Sequence, residues 1–142
     1  MTKFLPLLAA ASLGLAACSG ADVDDMDDGV VVTVNGVSGT GTVYVALQSE
    51  GIFGTADATY GATAPAAMGS VDVVIPGVSA GDYAVAAFQD TNGNGQLDVG
   101  SNGVPTEPWA LSNGAGTSGA PTFAGAMMSF DGTDTATVTL NR

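Results

Sequence analysis

The feature that most constrains this chain is a repeated two-residue alternation of β-branched side chains. Val30, Val32 and Val34 alternate with Val31, Thr33 and Asn35. The same rhythm returns in Val43, Val45 and Leu47, in Val71, Val73 and Ile75, and in Ala136, Val138 and Leu140. Tyr83 to Gln89 reads as another β-type run, and Met127 to Phe130 as a further strand. Alternation of this kind puts one face of each segment in a core and the other in water, as a half-buried strand does. The gaps are filled by turn formers, as in Gly36-Val37-Ser38-Gly39, Pro76 to Gly81 and Asp131-Gly132-Thr133-Asp134. No window carries an amphipathic helical stripe, although Pro121 to Ala126 allows a short helical turn. The expected class is all-β: a single Greek-key-like β-sandwich of about seven strands. Tyr83, just after Gly81-Asp82 at a strand start, suits a tyrosine corner. The other aromatic positions read mostly as packing residues.

Charge and residue types exclude several functions. The 142 residues hold two basic and fourteen acidic side chains, no histidine and one cysteine. Nucleic acid is excluded as a partner, because two cations cannot neutralise a run of phosphates. His-based acid–base catalysis, Ser-His-Asp or Cys-His nucleophiles and a His/Cys zinc site are excluded by the missing histidine. Asp98 and Glu107 form a conceivable carboxylate pair, but a small chain with no sign of a deep pocket does not suit a glycosidase. The chain reads as a non-enzyme.

The first residues read as an address. Met1-Thr2-Lys3 is a short positive region, and Phe4 to Ala17 is apolar but shorter than the about 20 residues that span a bilayer. Leu15-Ala16-Ala17-Cys18 resembles the lipobox of bacterial lipoproteins. That resemblance implies a signal peptide over residues 1–17, cut before Cys18, and a lipid anchor on Cys18 that attaches the protein to a membrane. More than one acyl chain is needed for stable anchoring, and lipoproteins of this class carry more than one. Ser19 after the cysteine, rather than Asp, favours the outer membrane. Residues 18–29 then form the acylated start and an acidic tether, with five aspartates between Asp22 and Asp28 that repel one another and stay solvated. Residues 30–142 form the β-sandwich domain. Lys3 leaves with the signal, so Arg142 is the only basic residue that remains.

One loop carries chemistry. Asp90-Thr91-Asn92-Gly93-Asn94-Gly95-Gln96-Leu97-Asp98 matches the first half of the calcium-loop pattern D-x-[DN]-x-[DN]-G. Asp90, Asn92 and Asn94 offer side-chain oxygens, Gly95 allows the sharp turn, Gln96 offers its carbonyl and Asp98 a direct or water-mediated contact. The twelfth position, a bidentate Glu in an EF-hand, is Ser101, so Glu107 is the nearest acid that could complete the shell. All-oxygen ligands favour Ca2+ over zinc or copper. So few carboxylates place the affinity near the extracellular range of about 10⁻⁴ to 10⁻³ M. The expected role is structural: calcium ordering a long loop from Asp90 to about Gly119. The alternative reading of the loop is a merely polar Asn-Gly turn. A surface carbohydrate- or peptide-binding role is also open, with Trp109, Asn113 and Tyr60 as contacts. Trp109 and Tyr60 are expected in Gly-rich loops, where an exposed ring could stack on a sugar.

Four segments also carry a family resemblance. They are Gly81-Asp82-Tyr83-Ala84-Val85, the loop from Asp90 to Asp98, Gly103 to Trp109 with Ser112-Asn113, and Pro121-Thr122-Phe123 with Ala126. In this order they resemble the bacterial domain-of-unknown-function family numbered 2141, over about Val30 to Leu140. The resemblance implies an exported β-sandwich, transthyretin-like or immunoglobulin-like in style. It implies no activity. It marks Glu107 and Asn113 as better site candidates than isolated polar residues.

Overall fold

A computed structural model describes residues 29–141. The expected signal peptide, Cys18 and most of the expected acidic tether lie outside the described residues.

Eight strands form two facing sheets. In chain order they are β1 (Gly29–Val37), β2 (Thr42–Gln48), β3 (Tyr60–Pro65), β4 (Gly69–Pro76), β5 (Gly81–Asp90), β6 (Trp109–Leu111), β7 (Met127–Phe130) and β8 (Thr135–Thr139). A single helical turn, α1 (Phe123–Ala126), precedes β7. It is capped by Thr122, whose hydroxyl accepts the N–H of Gly125. The smaller sheet runs β4-β1-β8, with β1 antiparallel to β4 and parallel to β8. The larger is antiparallel and runs β3-β2-β5, after which β5 pairs with β7 near its start and with β6 near its end. The chain crosses between sheets after β1, β3, β4 and β7, so the strands of each sheet come from distant parts of the sequence. This is the expected all-β sandwich.

The alternating residues do what their spacing requires. Val30, Val32, Val34, Val71, Val73, Ile75, Ala136 and Val138 fill the core from one sheet. Val43, Val45, Leu47, Tyr83, Val85 and Ala87 fill it from the other. Removing about 25 cal/mol of unfavourable hydration per Å² of apolar surface, this shared interior is the main favourable contribution to the fold. The Tyr83 hydroxyl donates to the carbonyl of Ser79 at 3.0 Å, forming the expected tyrosine corner.

Several expectations are corrected. Tyr60 and Trp109 do not lie in loops; they open β3 and β6. Both strands escape the alternation rule, since β3 is Tyr-Gly-Ala-Thr-Ala-Pro and β6 has three residues. The stretch from Asp90 to Gly119 is therefore not one loop but is divided by β6. Among the described aromatic residues only Tyr83 and Phe130 are buried in the core. Tyr44 and Phe88 stand on the outer face of the larger sheet, and Phe53 packs edge-on against Phe123 outside the sandwich.

Candidate functional site

β5 ends at Asp90, and the ladder fixes that residue by pairing it with Thr42. Asp90 is 2% exposed. Its Oδ1 accepts the N–H of Gly93 at 2.9 Å and its Oδ2 that of Gly95 at 2.7 Å. Gly93 and Gly95 have φ of +79° and +76°. Only this left-handed backbone turns both N–H groups back onto one carboxylate, and glycine adopts it without a Cβ clash. Burial pushes the Asp90 carboxyl up. The N–H groups of Gly95, Gly93, Asn94 and Asn92 outweigh it and hold the carboxyl below its ordinary range.

The rest of the loop closes on itself. Asn92 Oδ1 accepts the N–H of Asn94 at 3.1 Å, and Asn94 Oδ1 that of Gln96 at 3.0 Å. Their side-chain amide nitrogens both donate to Asp98, that of Asn94 to Oδ1 at 2.6 Å and that of Asn92 to Oδ2. Glu107 lies beneath the loop, buried. Its Oε1 accepts the Thr91 N–H at 2.9 Å and its Oε2 the Asp98 N–H at 3.1 Å. Thus Asp90, Asn92, Asn94 and Asp98 belong to one tight constellation, and Glu107 fastens both ends of the loop from behind. The Gln96 side chain is exposed, and its N–H serves the Asn94 turn. Among the described residues no three acidic side chains gather as a ready metal cage. An ion here would rest on a mixed set of two carboxylates, two amide oxygens and a carbonyl.

The loop also walls a groove of about 910 Å³ on the outer face of the larger sheet. The register explains its shape. Paired residues of antiparallel strands share a face, so Thr63, Tyr44, Phe88 and Trp109 form one row across β3, β2, β5 and β6. Two residues along each strand, Gly61, Ala46, Ala86 and Leu111 form the next. The Tyr44, Phe88 and Trp109 rings therefore stand beside the small Gly61, Ala46 and Ala86, with Leu111 at the β6 end. The Tyr44 and Phe88 rings stack at 4.9 Å, 5° from parallel. Gly95, Gln96 and Leu97 line the groove above them. The opposite wall, Gly54 to Ala58, hangs from one side chain: Gln48 donates to the carbonyls of Thr55 and Asp57 at 2.9 and 2.7 Å and accepts the Gly54 N–H at 3.2 Å.

Of the remaining candidates, Trp109 falls on this groove, and Asn113 and Tyr60 lie apart from it. Trp109 lines it, and its ring also covers Gly116, where a Cβ would come within 2.9 Å of the indole. The Trp109 backbone exchanges two hydrogen bonds with Asn141, closing one side of the sandwich. Asn113 is apart from the loop, in a second hollow of about 370 Å³ with Met128 and Thr139. Its backbone is left-handed (φ 59°) and its side chain donates to the Met127 carbonyl at 3.2 Å, a turn-holding role. Tyr60 lies on the far side of β3, edge-on to Tyr83. The sequence reading missed Tyr44, Phe88 and Gln48 as groove residues. Their rows follow from strand register, which local periodicity does not encode.

No curated protein and no solved structure matches the chain. Residues 32–138 match the family model described as an uncharacterised protein conserved in bacteria, DUF2141, a span that takes in the groove, the oxygen-rich loop and Glu107. The chain belongs to that family.

Proposed function

We propose that the protein is a non-catalytic binding module, lipid-anchored through Cys18 to the outer membrane, in which a calcium ion orders one wall of the groove and the groove takes an uncharged saccharide. The observation that carries this reading is that the D-x-N-x-N-G loop and the aromatic row meet: Gly95, Gln96 and Leu97 belong to the first and line the groove beside the second.

The calcium part rests on chemistry. The Asn92 and Asn94 amide N–H groups converge on Asp98 where a cation would lie, so they stand in for positive charge. With calcium bound, the amides would turn their oxygens inward, and Asp90, Asn92, Asn94, the Gln96 carbonyl and Asp98 would hold the ion. Glu107 keeps its place on the Thr91 and Asp98 N–H groups. Residues 29–141 hold nine acidic side chains and no Lys, Arg or His, so no cation of the described residues competes for the site.

The same charge balance selects the groove's ligand. A surface with carboxylates and no ammonium or guanidinium repels anions. A floor of Ala46 and Ala86 beside aromatic rings favours a flat ligand with C–H faces and hydroxyl edges. A non-catalytic role is supported by the absence of histidine and by the engagement of Asp98 and Glu107 in loop hydrogen bonds.

The test is a melting-temperature titration with calcium, followed by a glycan array with and without the ion. Calcium should raise the melting temperature, and Asp90→Ala should remove the gain. Saccharide binding should disappear in Phe88→Ala. An unchanged melting temperature overturns the calcium part, and an empty array overturns the saccharide part.

A further inference from the structure

Five Asn-Gly pairs occur in the chain: Asn35-Gly36, Asn92-Gly93, Asn94-Gly95, Asn102-Gly103 and Asn113-Gly114. Such a pair is chemically labile. The glycine nitrogen, unshielded by a Cβ, loses its proton and attacks the side-chain carbonyl carbon of the asparagine before it. A new C–N bond closes a cyclic imide, and the side-chain nitrogen leaves as ammonia. Water then opens the imide to aspartate or isoaspartate. The net reaction consumes one water, releases one ammonia and changes a neutral amide into a carboxylate.

Two of these pairs sit in the loop already described, and their glycine nitrogens share one partner. Gly93 N–H donates to Asp90 Oδ1 at 2.9 Å, and Gly95 N–H to Asp90 Oδ2 at 2.7 Å. Both potential nucleophiles thus point at a carboxylate. A buried anion beside an N–H makes removing its proton harder, and the bond must break before the nitrogen can attack. The electrophiles are fixed as well. The Asn92 and Asn94 side-chain oxygens accept N–H groups further along the loop, and their amide nitrogens are held on Asp98. At Asn102-Gly103 the glycine N–H meets only the neutral Gly100 carbonyl, at 2.9 Å.

We propose that Asn92 and Asn94 are latent deamidation sites and that Asp90 keeps them latent by holding both glycine nitrogens. Conversion is one-way. A carboxylate at either position replaces a donor to Asp98 with a like charge, so the loop, once opened and hydrolysed, does not close again as before.

The experiment uses the full purified chain without added metal. Amide hydrogen exchange should show slow exchange at Gly93 and Gly95; exchange at the rate of an unstructured peptide overturns the proposal. In mildly alkaline buffer, peptide mapping by mass spectrometry should show Asn92 and Asn94 converting about tenfold more slowly than in the denatured chain, the ratio expected from one charge-assisted hydrogen bond. Equal rates overturn it. Asp90→Asn should bring both rates up, with Asn35 and Asn102 unchanged; unaltered rates at Asn92 and Asn94 in a folded variant overturn the role of Asp90. A variant that accelerates at all five pairs has lost its fold, and the exchange rates of Gly93 and Gly95 in the unaltered protein then decide.

Discussion

The Ser112 hydroxyl accepts the N–H of Val85 at 2.9 Å, at the one residue where β5 passes from its β7 partner to its β6 partner. The same hydroxyl donates to the carbonyl of Ala126, the last residue of α1. A serine side chain thus does the work of a missing strand residue. Ser112→Ala leaves a buried donor and a buried acceptor without partners. It should cost about 1–3 kcal/mol in chemical denaturation, with no change in any surface property.

Tyr83→Phe tests the corner two residues earlier in β5. The ring stays against Tyr60 and Phe130, while the bond to the Ser79 carbonyl and the hydroxyl's interaction with the Tyr60 hydroxyl are lost. A loss of about 1 kcal/mol is expected from a melt. A neutral result would show that Ser79 finds another donor.

Acid should loosen the loop before it unfolds the sandwich. Burial raises the Asp90 carboxyl, but the Gly95 and Gly93 N–H groups with those of Asn94 and Asn92 bring it below the ordinary 3.8. The Asp131 carboxyl is lowered by the Thr133 N–H first and its hydroxyl second. A carboxyl depressed in the folded state contributes stability above its unfolded pKa, and that contribution fades as pH falls through the folded value. Melting temperature should therefore be flat near neutrality and fall below about pH 4. Asp90→Asn should weaken the slope and lower the plateau. A slope unchanged in that variant would assign the acid response to other groups.

How much of this could be read from the chain alone depends on range. The core strands were legible because Val30, Val32 and Val34 and their counterparts carry the alternation locally. The ligand-like loop was legible because Asp90, Asn92, Asn94 and Gly95 lie within six residues. β3 was not, since Gly61, Ala62 and Ala64 are small and poor strand formers that the edge position tolerates. The bridging role of Ser112 and the Thr63-Tyr44-Phe88-Trp109 row were not, because each joins residues far apart whose register only the folded sheet sets. Glu107 was visible as an acid near the loop, but its role beneath the Thr91 and Asp98 N–H groups was not.

Glu107→Gln separates the fastening role from ion binding. The neutral side chain still reaches Thr91 and Asp98 but weakens charge-assisted bonds, at a cost of about 1 kcal/mol. The calcium-induced rise in melting temperature should persist. Its disappearance would make Glu107 a ligand.

Asn92→Asp combined with Asn94→Asp should make the loop depend on calcium. Without the ion, two added carboxylates face Asp98 and the melting temperature falls. With the ion they become ligands, and the gain should exceed the about 1.4 kcal/mol that a site gives at ten times its Kd. A variant equally stable in both conditions would argue against an ion at this position.

The parallel pairing of β1 with β8 has a kinetic consequence. Val31 of β1 meets Thr135 of β8, about a hundred positions later, and β1 lies in the middle of its sheet. β1 cannot be covered on both edges until β8 is available. Such long-range closure slows folding, so the chain should spend an extended period unstructured before it locks, with the valine-rich β1 exposed to whatever shelters it meanwhile.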